Sequence, residues 1–554
     1  MNPLAANKWI VLIRLLCVAV TVTALYFVFR RVDLDAFVGA LRKMHGGWFV
    51  AASGLYGIAL LLAGARWHLS LRLTETSVHS SASIRVYCIG HFLFMVLFGG
   101  VGGDVAKSAL YARWFRLPIP EVLAAAPLDR SLGFGGLALF TLAAFVIAAL
   151  NGGFEQLQNL SINISRTWAI TVLCVALIAL IIFIWWRPSG DAPGIRTFNA
   201  IRAAAKRLLL TPHILLLGLG YGFLVQVCLI GALAFNLQAV SHSTLPWTRL
   251  FWTLPVISAL SSLPITVGGL GFREGAAMGL LHLYGVADEH ALAASLLSFG
   301  TSLIWATAGG RLLWREEKTF LKMRNRAEPC GISIVIPTLN EAEMLAETLM
   351  RAGRIPEVQE IIIVDGGSTD RTCEIAAGLG CRVLTSPPGR GGQLRLGAEQ
   401  AAADVILLLH ADTWLPPEAG RAALRSLRDA GVVAGGFWKK FRDTPALLLG
   451  SRWKCAVRLH LGRRIAGDQA IFVRREVLQQ IGGVPDLPLM EDFELCRRLR
   501  RVGRLALADA TITTSARRFT KFGVLRTYWR MWWVTTLYRL GKSPSELRRL
   551  YERE

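Results

Sequence analysis

The sequence predicts two unlike halves: an α-helical polytopic membrane domain, then an α/β domain with a Rossmann-like, mostly parallel sheet. Three observations point there. Hydrophobic residues make up 53% of the 554 residues and charged residues only 18%, against about 25% charged in an average soluble protein. Apolar runs of membrane-spanning length recur as far as about residue 310. From residue 332 onward, short apolar strands alternate with helix-like segments instead. A disordered chain, a coiled coil and a wholly cytosolic enzyme are thereby excluded.

The net charge is +23, from 61 Lys and Arg against 38 Asp and Glu. Residues 1–330 hold 27 basic and 14 acidic side chains, and residues 331–554 hold 34 and 24. The excess is spread over both halves and no nucleic-acid-binding motif accompanies it. Basic loops in so hydrophobic a chain suit anionic membrane lipids, not nucleic acid. The nine cysteines form no C-x-x-C pair. They read as small apolar residues or free thiols, not as a disulfide frame or a zinc site.

Residues 9–29 are apolar apart from Arg14. The run is long for a signal peptide and Arg30-Arg31 follow it, so a retained helix is expected. Further runs near 47–65, 86–102, 131–150, 167–186, 213–236, 249–270 and 290–310 bring the expectation to seven or eight spans. Arg187, Arg196, Arg202, Lys206 and Arg207 in one connection, and the basic segment after residue 310, place both on the cytoplasmic side. The 151–165 loop, without Lys or Arg, belongs outside. The basic segments at 30–43 and 104–116 do not alternate under this rule, which leaves the N-terminal topology open. A multi-pass protein of the plasma or inner membrane is expected, with its second half in the cytoplasm.

Two stretches are unlike ordinary span sequence: GGVGGDVAKSALYAR at 99–113 and SSLPITVGGLGFREGAAMGLL at 261–281. Each breaks an apolar run with glycine, then places charge beside it. Asp104 and Lys107 do so in the first, Arg273 and Glu274 in the second. Irregular backbone at membrane depth survives only where protein or a wet cavity satisfies it, and ionisable groups there are functional candidates. The plainer reading is a pair of helix ends, with Asp104 as a cap and Arg273 reaching to the interface. Over about residues 10–315 these stretches resemble the transmembrane region of lysylphosphatidylglycerol synthase and its flippase-like relatives, Gly268–Glu274 most specifically. The resemblance implies a lipid-handling helical domain.

The chain changes character at 311–331, where charge density rises. Apolar strands are expected at 332–336, 360–364, 382–385 and 405–409, with helices at 341–353, 369–379 and 392–403 between them. Such a sheet binds ligands at the carboxyl ends of its strands. Those ends carry Pro337-Thr338-Leu339-Asn340-Glu341, Asp365-Gly366-Gly367-Ser368-Thr369-Asp370 and His410-Ala411-Asp412-Thr413. One strand-end acid reads as a helix cap. Three in register, two of them beside Gly or Pro, point to a binding crevice.

VIPTLNE, VDGGSTD and LLHADT, in this order, resemble a family 2 glycosyltransferase of GT-A fold over about residues 331–520. Taken whole, the chain resembles such an enzyme fused C-terminally to a lysylphosphatidylglycerol synthase-type transmembrane domain. The resemblance implies inverting transfer from a nucleotide-diphospho-sugar, UDP- or GDP-linked. It implies that Pro337 and Glu341 hold the nucleoside and Asp365 the base or ribose. It makes Asp412 the last acid of a D-x-D motif that holds Mg²⁺ or Mn²⁺ on the diphosphate. His410 replaces that motif's first acid; it ligates the metal, bonds the donor or merely ends the strand. PPGRGGQLRLG at 387–397, with Arg390 and Gln393, matches the donor-side glycine segment, where an arginine meets phosphate.

Further on, Gly467, Asp468 and Gln469 match the acceptor side of the sugar pocket. Glu491-Asp492 open a helix and match the family's catalytic acid pair. Inverting transfer needs a carboxylate to take the acceptor proton, with Asp492 the first candidate and Glu491 the second. Arg517 and Arg518 either close over the diphosphate or form a solvated patch. The tail at 519–541 mixes Trp529, Trp532 and Trp533 with Lys521, Arg526, Arg530 and Arg539. It reads as an interfacial helix or as an aromatic stripe on the domain's own core.

The expected organisation is a membrane domain at 1–315, a basic linker at 316–330, a GT-A domain at 331–518 and an interfacial tail at 519–554. Asp365, Asp412 and Asp492 are expected to converge on a cation-bridged diphosphate, beside the entry of a lipid- or polyprenyl-linked acceptor. The competing reading is a lipid transporter with a regulatory or degenerate glycosyltransferase domain.

Overall fold

The computed structural model describes residues 19–96, 100–150, 193–241, 257, 269–323, 328–442, 451–460, 462 and 464–552. Two compact units divide the chain. One holds Met1–Ser77 and Ala82–Glu317, the other Val78–Ser81 and Lys318–Glu554.

The first unit is helical: α1 (Ala19–Phe29), α2 (Leu34–Arg42), α3 (Gly46–Leu73), α4 (Ser80–Val96), α5 (Gly100–Phe115), α6 (Ile119–Leu150), α7 (Pro193–Leu210), α8 (Pro212–Val240), α9 (Phe272–His282) and α10 (Asp288–Met323). Among the described residues, α3, α6, α8 and α10 are long and apolar enough to cross a membrane, while α1 and α4 are shorter apolar helices. The span expected at 167–186 and nearly all of that at 249–270 lie outside the described residues. The run at 86–102 is shared between α4 and α5 instead of forming one span. Helices α6 and α8 meet backbone to backbone, because a Cβ on Gly222 would stand 3.0 Å from Gly136 Cα. Small residues permit such close approach in membrane bundles.

Among the described residues the irregular backbone expected at 99–113 is not found, since residues 100–113 belong to α5 and residue 99 lies outside the described residues. Gly103 serves packing: a Cβ there would lie 2.9 Å from Phe94 Cα. The second glycine stretch does interrupt helix. Gly269 and Gly271 take φ of 79° and 89° just before α9, a conformation glycine adopts without the Cβ penalty.

The second unit is a mixed-sheet, GT-A-like α/β domain. Its elements are β1 (Ile332–Thr338), α11 (Ala342–Gly353), β2 (Val358–Asp365), α12 (Thr372–Gly378), β3 (Arg382–Thr385), α13 (Arg390–Glu399), β4 (Val405–Leu408), β5 (Thr413–Trp414), α14 (Ala419–Leu427), β6 (Val432–Phe441), α15 (Ser451–His460), β7 (Ile471–Arg474), α16 (Arg475–Gln480), α17 (Glu491–Val502), β8 (Arg504–Thr514), α18 (Arg517–Phe522), α19 (Val524–Arg539) and α20 (Pro544–Glu552). The sheet order is β3-β2-β1-β4-β7-β6-β8-β5. β1 to β4 run parallel, whereas β7 pairs antiparallel with both β4 and β6. The central strands are apolar along their length because helices cover both faces. One buried cluster joins Ile332, Ile334 and Ile336 to α11 and α14. The other joins Val335, Ile362 and Val364 to α13 and α17. Turning out of this core, the strand-end loops are held at one edge of the sheet.

Candidate active site

An open cleft of about 480 Å³ lies at the carboxyl ends of β1 and β4. Of the expected residues, Pro337, Glu341, Arg390, Gln393, His410, Asp412, Asp468 and Arg517 line it. Arg517 Nη2 donates to Glu341 Oε1 and Oε2, at 2.6 and 2.9 Å, and its Nε stands 3.6 Å from Asp412 Oδ2. One guanidinium thus couples the first strand-end loop to the His-Ala-Asp loop. The side chain of Arg518 lies outside the described residues.

Asp365 does not face this cleft. It is buried and accepts from Thr338 Oγ1 (3.0 Å), Gly367 N (2.9 Å), Ser368 N (2.7 Å) and Ser368 Oγ (2.5 Å). Burial works against its charge, but these donors outweigh it and hold the carboxyl below the ordinary range. All four bonds brace the β2 loop, so this acid shapes the cleft from beneath. Gln393 is a brace as well: its Nε2 donates to Thr338 O and Val364 O, both at 2.8 Å.

Asp492 sits in a narrow adjoining cavity with Glu491, Gly467, Leu408, Ile471 and Leu495. Pro337, Arg390 and His410 border both spaces. Arg390 is the partition. Its Nη2 lies 2.5 Å from His410 Nε2, and its Nε 3.0 Å from Glu491 Oε1, near enough to pair without hydrogen-bond alignment. Nε2 of His410 is thus engaged by Arg390. Gly467 closes the corner, since a Cβ there would collide with Arg390 Nη2 and lie 3.2 Å from His410 Nε2. The three acids therefore do not converge in one cavity, which corrects the expected single constellation. Asp412 faces the cleft, Asp492 the adjoining cavity and Asp365 neither.

Asp492 Oδ2 accepts from Gly467 N at 2.8 Å and Oδ1 from Phe493 N at 2.8 Å. Burial, and then the charge of Glu491, push its pKa up to about 6, against the pull of Arg390 and the Gly467 N–H. A carboxyl tuned towards neutrality is suited to proton transfer. Asp468 shows the opposite tuning. Burial opposes its charge, but Lys439 and Arg458 hold it well below the usual carboxylate range. Lys439 Nζ, itself buried, lies 2.5 Å from Asp468 Oδ2. Gln469 is buried and accepts from Ala466 N and Arg458 Nη1, both at 3.1 Å.

Sequence reasoning missed several parts. Lys439 sits beside Lys440 in the sequence without a distinguishing signal, yet the register of β6 turns it inward and leaves Lys440 exposed. Arg442 Nη2 donates to the Asp412 carbonyl at 2.9 Å and its guanidinium stacks 3.6 Å from the Trp414 ring centre. Thr527, Met531 and Arg548, from the tail helices α19 and α20, complete the cleft wall. The signal for these was the helical spacing of Thr527, Met531 and Val534, opposite the tryptophans. Within the α/β domain, the described non-glycine residues at positive φ are Asn340 (55°), Ala470 (52°) and Met490 (67°). Each adjoins a site motif, as stored backbone strain does at functional loops.

In the helical unit, Asp104 accepts from Lys107 Nζ at 2.9 Å and from Arg130 Nε at 2.6 Å. Lys107 Nζ also lies 4.7 and 4.6 Å from the Trp67 and Tyr87 ring centres. Nearby, Arg66 Nε donates to Asp129 Oδ1 at 2.7 Å in a buried pair. Glu274 is fully buried; it accepts from Gly271 N at 2.6 Å and pairs with Arg273. It caps α9, whereas Asp104, for which a cap is the plainer expectation, lies inside α5 and is held by Lys107 and Arg130.

Among the described residues, no three His, Cys, Asp or Glu side chains group so as to hold a metal ion. Asp412 offers a hard carboxylate oxygen to the cleft, but Arg517 already stands beside it. This donor set fits a cation that brings phosphate oxygens with it, not a resident metal.

Comparison with known proteins agrees with the order of the two units. The description "Glycosyl transferase family 2" matches residues 333–478. A probable glycosyltransferase, YdaM of Bacillus subtilis, is 26% identical over 281 residues, 43% of this chain and 64% of that protein. An undecaprenyl-phosphate 4-deoxy-4-formamido-L-arabinose transferase of Pectobacterium carotovorum is 33% identical over 100 residues, 16% of this chain and 31% of that protein. The chain thus spans less than two thirds of these curated relatives. The solved TarS of S. aureus is 19% identical, with a TM-score of 0.28 over 34% of this chain and 60% of that one. The matched ranges correct the expected fusion: the transmembrane region is the N-terminal part, the glycosyltransferase region follows it, and that match ends at 478 and not near 520. Residues 12–310, more than half of the chain, match the "Lysylphosphatidylglycerol synthase TM region", and the chain belongs to that family.

Proposed function

We propose that the chain is a membrane-bound inverting glycosyltransferase. It moves a sugar from a nucleotide-diphospho-sugar, UDP- or GDP-linked, to a lipid- or polyprenyl-linked acceptor, with its α/β domain in the cytoplasm. The observation that carries this reading is the pairing of two spaces across Arg390. A polar cleft holds Asp412, Glu341 and Arg517, and beside it lies a carboxylate of raised proton affinity. The match to family 2 glycosyltransferases over 333–478 supports it.

In this mechanism Pro337 and Glu341 border the nucleoside, and Arg517 and Arg390 face the diphosphate. Asp412 would hold a Mg²⁺ or Mn²⁺ through one carboxylate oxygen, and such an ion, when bound, would supply charge neutralisation for the diphosphate. Asp492, oriented by the Gly467 N–H, takes the proton from the acceptor hydroxyl as its oxygen attacks the anomeric carbon from the face opposite the leaving group. Glu491 keeps Asp492 from being too weak a base, and Asp468 with Lys439 fixes the Gly467 turn.

Purified full-length protein is assayed for nucleotide release from UDP- and GDP-sugars, with and without Mn²⁺. Donor-dependent release that falls at least about a hundredfold in Asp492→Asn is expected. Release unchanged in that variant removes the base assignment, and failure to bind any nucleotide sugar removes the function. The second reading, a lipid transporter with a regulatory α/β domain, is favoured by the buried Arg66–Asp129 and Lys107–Asp104 pairs. It predicts lipid translocation with no nucleotide release.

A further inference from the structure

A cavity of about 570 Å³, distinct from the cleft, lies between α17, the segment before the single turn at Gly467–Gln469 and the α19–α20 connection. Its charged lining is entirely basic: Arg464, Arg497, Arg500, Arg539 and Lys542. Arg497 is neutralised by Glu494, at 2.6 Å. The side chains of Arg500, Arg539 and Lys542 make no ion pair with the other described residues. Arg464 is the informative one. Its Nε and Nη1 are buried and have no hydrogen-bond partner among the described residues. Its guanidinium lies 4.2 Å from the Phe493 ring centre, which fills one face. Two N–H groups shielded from water without an acceptor are costly unless something supplies one.

We propose that this cavity binds a phosphate group of the kind a membrane lipid headgroup presents, with Arg464 as its buried donor. Three further observations agree. Burial, then the positive charges of Arg539 and Arg458, pull the Arg464 pKa down to about 10 against the opposing charge of Asp492, so the local field is basic. The space exceeds what an inorganic phosphate fills, and Phe493 and Tyr538 give it apolar walls. Helix α19, which forms one side, carries Trp529, Trp532 and Trp533 on its outer face at 65%, 55% and 49% exposure, and Leu540 at 77% adjoins the cavity rim. Exposed tryptophans beside a basic pocket suit the headgroup depth of an anionic bilayer. Because Phe493 follows Asp492 directly, an occupant would rest against the turn that carries the acid pair.

The test uses full-length protein in a neutral detergent. It is titrated in turn with a short-chain phosphatidic acid, its phosphatidylcholine analogue and inorganic phosphate, and affinities are read by native mass spectrometry. Phosphatidic acid is expected to bind the native chain and to bind Arg464→Gln at least about tenfold more weakly, the loss of one charge-assisted hydrogen bond. The exposed pair Arg539→Gln and Lys542→Gln is expected to weaken it in the same direction and serves if Arg464→Gln fails to fold. Inorganic phosphate binding with the same sensitivity to both variants keeps the site and assigns it to a free anion. Equal affinity in native and variant proteins, or no binding of either phosphate compound, overturns the proposal.

Discussion

Replacing Asp492 by Asn should separate activity from stability. The change keeps one acceptor oxygen for the Gly467 N–H, 2.8 Å away, removes the charge and gives up the bond from the Phe493 N–H, a loss smaller than the charge term worked out below. In the native chain, burial and Glu491 lift the Asp492 pKa from 3.8 to about 6. Folding therefore raises its proton affinity. This group's contribution to stability is full below pH 3.8 and is lost as pH rises through about 6. By pH 7 the ionised carboxylate costs the fold up to about 3 kcal/mol, taking about two pK units at 1.36 kcal/mol each. The Asn variant escapes that cost. For a domain of this size, roughly 2–4 °C per kcal/mol gives a rise in Tm of up to roughly 6–12 °C at pH 7, shrinking to little at pH 4. Loss of a general base should meanwhile lower turnover by about 10²–10⁴. Thermal unfolding of full-length protein followed by tryptophan fluorescence at pH 4, 5.5 and 7, beside a nucleotide-release assay, measures both. A variant less stable than the native chain at pH 7, or one within tenfold of native turnover, would refute the reasoning.

The other expectations concern the cleft and its supports. Arg517→Gln frees Glu341 and Asp412 and should weaken nucleotide-sugar binding about tenfold, seen by isothermal titration. Stability should change by less than about 1 kcal/mol, because the Arg side chain is half exposed. Lys439→Met leaves Asp468 with Arg458, 3.9 Å away, as its remaining charge partner. The native pair holds the Asp468 pKa down, so its stabilisation is present above the unfolded value of about 4 and fades as pH falls below it. Native protein should lose more stability than the variant between pH 5 and 3, as measured by acid unfolding. Asp412→Asn should abolish any effect of Mn²⁺ on nucleotide affinity while leaving cation-free binding within about threefold. A full Mn²⁺ effect in the variant would show that the ion is held elsewhere.

Much of the α/β domain was legible because its physics is local. Fully apolar strands such as ISIVI, separated by helical segments, specify a covered parallel sheet, and strand ends in such a sheet become the site. Loop membership could therefore be read for Pro337, Glu341, His410 and Asp412. Side-chain direction could not. Whether Asp365 faces a ligand or its own turn depends on Ser368 and Gly367 folding back beneath it, which the motif VDGGSTD leaves undetermined. Lys439 and Asp468 meet across 29 residues because β6 and β7 pair in one register, and a shift by one residue would send Lys439 outward. The tail offered two readings, and both sides of α19 are in use: Thr527 and Met531 wall the cleft, while the tryptophans stay exposed. In the helical unit, glycine was ambiguous between breaking a helix and thinning it for contact. Gly103 and Gly271 show one case of each.

The site loops share a construction that bears on how the cleft keeps its shape before any ligand arrives. Asn340 holds a left-handed φ of 55° while its Oδ1 accepts from Thr369 N at 2.8 Å, and its own N–H donates to Ser368 Oγ at 2.8 Å. Met490 holds 67° with its side chain buried against Val534 and Leu547. Ala470 holds 52° between Gln469, which binds Ala466 and Phe437, and strand β7. Each strained residue costs about 1–3 kcal/mol and persists only where its surroundings over-determine it. In all three cases those surroundings include contacts within the domain. The positions of Glu341, Asp492 and Gly467 are thus set in advance, which is what a site that stabilises developing charge requires. Met490 adds a further consequence. Its anchors lie on α19 and α20, the helices whose outer parts carry the exposed tryptophans and the basic cavity, so the backbone that presents Glu491 and Asp492 rests on the same tail that faces outward.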